Sequence, residues 1–169
     1  MIYGNCVYLF ILLCKRKSSK SWESMCSILL LIFGVIVTVV YLVLKNPVIF
    51  LVLYGSLVVA TVYMTALVCK MAPSLRRIAL VLHLIYLFGF VVWNIDIHFC
   101  SSLRSFRSQG EVWNKHIFHM TQLHAWWHIL AGYASFLQLY FAIRSRCMYL
   151  GKSFRVKKFM EIWPYLEFP

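Results

Sequence analysis

The sequence predicts an all-α polytopic membrane protein, a bundle of about five transmembrane helices, on three observations. Apolar residues make up 62% of the 169-residue chain and charged residues 13%, too little polar material to cover the surface of a soluble domain. The apolar residues gather into runs of the length a bilayer requires, about 20 residues per helix. The 17 lysines and arginines, against five acids, fall in short segments between those runs, the arrangement that orients membrane helices. The net charge of +12 therefore gives no support to nucleic acid as a partner, since aromatic and basic residues are not interleaved as an RNA-binding surface requires.

The elements follow in order. Residues 1–14 form a short apolar run that lacks the basic lead-in of a signal peptide; Lys15, Arg16 and Lys17 come after it. It reads as a helix whose beginning is missing. Cys26 to Leu44, Val48 to Cys69, Ile78 to Phe99 and roughly Phe118 to Ile143 are each long enough to cross a bilayer. Pro47 and Pro73 fall between runs, where a helix break does no harm. No segment is long or polar enough for a second domain, so residues 1–169 form one membrane domain.

Across these five spans, thirteen basic residues collect on one side and four on the other. That asymmetry predicts a lumenal start and a cytosolic C-terminus. The tail, 144–169, alternates basic residues with Tyr149, Phe154, Phe159 and Trp163, as a segment lying along an anionic leaflet would. The six cysteines have no spacing that suggests a disulfide framework or a zinc ribbon.

Polar residues within the apolar runs carry the functional signal. In HAWWH, His124 and His128 stand at i and i+4, so both rings leave one face of a helix about a turn apart. Thr121, Ala131, Gly132 and Ser135 extend that face, while Trp126, Trp127, Ile129 and Leu130 fall on the others. Small residues let membrane helices approach closely, so the histidine face is expected to point into the bundle. The preceding span offers a stripe of His83, Tyr86, Gly89, Phe90, Trp93 and Asp96, with Asn94 beside it, and Asp96 is the one acid in any predicted span. Opposite running directions bring Asp96, His124 and His128 to similar depth near the lumenal side, and ionisable groups there suggest a site.

Two neutral imidazoles one turn apart can share a zinc ion. A catalytic zinc takes three protein ligands and an open position, and lowers the pKa of its bound water to about 7. His98, His116 and His119 are available as a third ligand, though none has a spacing that argues for it. A bis-histidine haem would need a second histidine pair on a facing helix, and no such pair is found.

WNIDIHFCSSLRSFR (93–107), TQLHAWWHILAGYASFLQLYFAIRSRCMYL (121–150) and the terminal KFMEIWPYLEFP resemble the last two spans and tail of the alkaline ceramidases, closest to the phytoceramidase-like type. The resemblance covers essentially the whole chain and implies the C-terminal five helices of a seven-helix hydrolase of the endoplasmic reticulum and Golgi. Such enzymes use zinc to cleave the amide of ceramide into sphingosine and a fatty acid. It also implies that His124 and His128 match two of the three zinc-binding histidines, with Asp96 and Asn94 orienting their neighbours. The third histidine and a calcium site belong to family segments ahead of the matched residues, so activity is expected to be incomplete in a shortened chain. The rivals are a lipid-sensing receptor of the adiponectin and progestin type, and a non-catalytic isoform that binds the full-length enzyme.

Overall fold

The computed structural model describes residues 2–14, 19–108 and 122–169. Among them are six α-helices: α1 (Ile2–Leu13), α2 (Lys20–Leu44), α3 (Pro47–Met71), α4 (Arg76–His98), α5 (Cys100–Ser108) and α6 (Leu123–Tyr149). A 3₁₀ turn, Pro73–Leu75, leads into α4, and two short strands, β1 (Arg155–Phe159) and β2 (Trp163–Glu167), close the chain. The fold class is all-α, as expected, with a terminal hairpin that the hydropathy pattern did not announce.

Local chemistry sets the helix ends. Ser19 caps α2, its hydroxyl accepting from the Trp22 N–H at 3.2 Å, and Glu23 adds a carboxylate to the first turn, where the helix dipole favours it. The helix therefore starts six residues before the apolar run does. At its other end Lys45 turns left-handed (φ 48°) with its N–H donating to the Tyr41 carbonyl. One residue later the Asn46 carboxamide oxygen accepts from the Val48 N–H at 2.9 Å, with Pro47 at the first helical position of α3. Likewise, α6 continues through Arg144 and Arg146 to Tyr149, past the end of its apolar run, because arginine is a good helix former and its cation suits a helix C-terminus. Gly151, at φ 64°, ends it.

The chain forms two compact units, Met1–Ala79 with Leu137–Pro169, and Leu80–Phe136. In the first, Cys6, Leu9 and Leu57 make a core, flanked by Ile2, Leu30, Phe33, Ala60 and Met64. A Cβ on Gly34 of α2 would stand 3.0 Å from the Tyr3 ring, so α1 and α2 meet closely at that glycine. Two pairs of buried polar side chains satisfy each other: Gln138 donates to the Asn5 carboxamide oxygen at 3.0 Å, and the Tyr8 and Thr65 hydroxyls bond each other. In α2 and α3, Thr38, Ser56, Thr61 and Thr65 donate to carbonyls three or four residues back, which satisfies them inside their own helices.

Among the described residues, three helices are long and apolar enough to cross a membrane. Of the most apolar stretch of α2, 11% of residues are buried inside the protein, and Ile28, Leu29, Leu31, Val35, Ile36 and Val39 all face outward. An apolar face of that extent requires lipid; this is a membrane protein. The expected last span differs from these three. At 27 residues α6 is long enough, but its histidines, tryptophans, tyrosines and glutamine make it less apolar.

The hairpin pairs Arg155 with Glu167, Lys157 with Tyr165 and Phe159 with Trp163, antiparallel. Its three-residue turn carries Met160 and Glu161 at φ 49° and 58°, with the Ile162 N–H donating to the Phe159 carbonyl. Lys157 Nζ lies 2.7 Å from Glu167 Oε1, and that hydrogen bond holds the ammonium above its usual lysine range.

Candidate functional site

The second unit contains every candidate site residue that falls among the described positions. Its α4 and α6 segments run antiparallel and meet in layers. Tyr86 and Ser135 bond hydroxyl to hydroxyl at 2.6 Å. Above them, Gly89 lies so close to α6 that an added Cβ would meet the Trp127 ring at 3.0 Å and Leu130 Cβ at 3.3 Å. Trp93 then packs on Trp127 with ring centroids 6.3 Å apart, and on Phe90 at 5.8 Å. At the end of the stack, Asp96 Oδ2 stands 3.8 Å from His124 Nδ1.

Asp96 and His124 thus meet where the last turn of α4 faces the first turn of α6. The carboxylate side chain is 19% exposed and the imidazole 57%, so the acid is sheltered and the ring open. His124 and His128 face each other edge to face, centroids 4.8 Å apart at 78°. Both imidazoles lie on the open side of α6 rather than in its packed seam.

That placement corrects the expected helix face. Ala131 and Ala134 are buried, but Gly132 is exposed, and Trp127, assigned by the wheel to another face, fills the seam against α4. The reason is steric: Gly89 provides a recess that only a large ring fills, which turns the seam toward Trp127. Nothing in the residue pattern marked Trp127 for the seam, because the recess belongs to a glycine on another helix.

Asn94 does not reach the histidines. Its amide donates to the Phe90 carbonyl at 2.7 Å, and its own backbone carbonyl accepts from His98 Nδ1 at 2.9 Å. His98 ends α4. The other third-ligand candidates, His116 and His119, lie outside the described residues, as does Thr121. Among the described residues no three His, Cys, Asp or Glu side chains converge as a metal site would require.

The histidine pair itself suits a shared ion. Zinc sits about 2.0–2.1 Å from an imidazole nitrogen, which puts ring centroids on a common tetrahedral ion about 5 Å apart. The observed 4.8 Å fits. Asp96 stands 3.8 Å from the Nδ1 edge of His124, the side on which a metal-bound histidine would take an outer carboxylate.

Comparison with known proteins bears on what such a pair is for. A protein-family model described as Ceramidase matches residues 1–169. Alkaline ceramidase 3 of the mouse (Mus musculus) is 36% identical over 171 aligned residues, covering 99% of this chain and 62% of the mouse protein. The chain therefore spans less than two thirds of the length of that curated relative.

Proposed function

The chain belongs to the ceramidase family, and from that premise we propose that it serves in hydrolysis of the ceramide amide bond to sphingosine and a fatty acid. The observation that carries this reading is the meeting of Asp96 with the His124 and His128 pair at one end of the α4 and α6 seam, in a chain matched along its whole length by the family. His124 and His128 are two of three protein ligands to zinc. The third comes from outside the described residues. Zinc, when bound, supplies the Lewis acidity that activates water and polarises the amide carbonyl.

The chain's own residues position and shelter. Asp96 facing Nδ1 favours the tautomer with its proton on that nitrogen, so the Nε2 lone pair of His124 points outward. Trp93, Trp127 and Phe90 form a rigid aromatic layer directly beneath the pair, excluding water on that side and offering apolar surface to an acyl or sphingoid chain. Below it, the bond between Tyr86 and Ser135 pins the two helices in register. The basic asymmetry supports an orientation with the start of the chain lumenal and the hairpin cytosolic, and the family resemblance points to endoplasmic reticulum and Golgi membranes.

Sphingosine release from ceramide, assayed on the protein reconstituted in phospholipid, tests the proposal. His124→Ala and His128→Ala should each lower turnover by about 100-fold or more, beyond the loss typical of an outer partner, with helical circular dichroism unchanged. Full turnover in either variant contradicts it.

A further inference from the structure

We propose that the C-terminal hairpin is a lipid anchor whose tip enters the interface of an anionic leaflet. The tip is apolar and open: Phe159, Met160, Ile162 and Trp163 are between 40% and 72% exposed. Four large apolar side chains clustered around a three-residue turn are poorly placed in water. Furthermore, Met160 and Glu161 hold left-handed backbone, a conformation suited to Asn or Gly. The turn thus carries a long apolar side chain where the backbone favours a small polar one.

Chemistry and reach point to one occupant. From Lys152 to the end of the chain there are four cations, Lys152, Arg155, Lys157 and Lys158, against two carboxylates. Lys157 and Lys158 are engaged with Glu167 and Glu161 at 2.7 and 3.6 Å, which leaves Lys152 and Arg155 as uncompensated charge near the hairpin base. Aromatic side chains beside basic ones are the composition of the membrane interface.

The hairpin is also tethered there. Arg146, near the end of α6, lies 4.0 Å from Glu23 in the first turn of α2, so charged groups of two helices mark the polar edge of this unit. Only residues 150–154 separate α6 from β1, a reach of at most about 17 Å. Each strand is five residues long, or about 17 Å, against a headgroup layer of about 5–8 Å per leaflet. From that anchorage the tip can return to the interface.

The test uses the full chain in nanodiscs of phosphatidylcholine alone or mixed with phosphatidylserine, each made with and without brominated acyl chains. Subtracting the fluorescence of Trp163→Phe isolates the Trp163 signal. With phosphatidylserine that signal should be blue-shifted and quenched by bromine. Omitting phosphatidylserine should weaken tip binding roughly tenfold, and Met160→Ser with Ile162→Ser should abolish the quenching. Amide exchange across 155–167 checks that the strands still pair in that variant. Water-like, unquenched emission in both discs overturns the proposal, and quenching equal in both overturns the anionic preference. A blue shift that depends on protein concentration and not on bromine assigns the tip to a second copy of the chain and overturns it too. None of these readouts involves turnover, so they stand or fall apart from the catalytic reading.

Discussion

At 3.8 Å the Asp96 carboxylate stands just beyond hydrogen-bond length from His124 Nδ1. If its role is to orient the imidazole, Asp96→Asn should keep the shape and lose the charge. Zinc affinity should then fall about 10- to 100-fold, less than when His124 itself is removed; equal affinity in competition titrations would show that the carboxylate plays no such part. Gly89 offers a second residue-scale test. An alanine there puts a methyl 3.0 Å from the Trp127 ring, which Trp93 backs at 6.3 Å between centroids, so the ring has little room to retreat. Gly89→Ala should cost about 1–3 kcal/mol, as overpacking typically does, read as a lowered melting temperature in detergent. An unchanged melting temperature would mean that the α4 and α6 seam is looser than the packing indicates. Asp96 opposite His124 was legible in the sequence, because each lies on a polar stripe and successive spans run in opposite directions. Trp127 in the seam was not, because a helical wheel ranks faces by polarity and cannot see the recess that a glycine on another helix provides.

Among the elements, hydropathy marked the helices well where lipid sets the rule and poorly where it does not. The apolar runs of α2, α3 and α4 reappear as helices extended by a cap or a basic turn. The amphipathic α5, with Leu103 and Phe106 three residues apart, stood in what looked like a loop because nine residues cannot register as a span. The hairpin was missed for a related reason. Its five-residue strands mix lysine, proline and glutamate with aromatics, and its turn lacks the Asn-Gly pair that announces a type I′ connection. That departure gives a prediction. Glu161→Gly relieves one left-handed residue and should stabilise strand pairing by about 1 kcal/mol, seen as slower amide exchange across 155–167. Faster exchange would mean that the Glu161 contact with Lys158, at 3.6 Å, outweighs the backbone strain.

For the whole molecule, composition fixed the environment: outward-facing apolar residues along α2 have no aqueous solution. Family membership, in turn, supplies a chemistry that two histidines by themselves could not identify, since a pair one turn apart is equally consistent with a packed, satisfied couple. In the proposed function a zinc ion joins the two levels, and its binding can be measured directly. Zinc bound per chain, determined by elemental analysis of the detergent-purified protein after exhaustive dialysis, is compared between wild type and a His124→Ala, His128→Ala double variant of unchanged helicity. Wild type should retain zinc and the double variant should lose it. Equal zinc in both proteins would contradict it, and would move the metal, and the hydrolysis assigned to it, away from the end of the α4 and α6 seam.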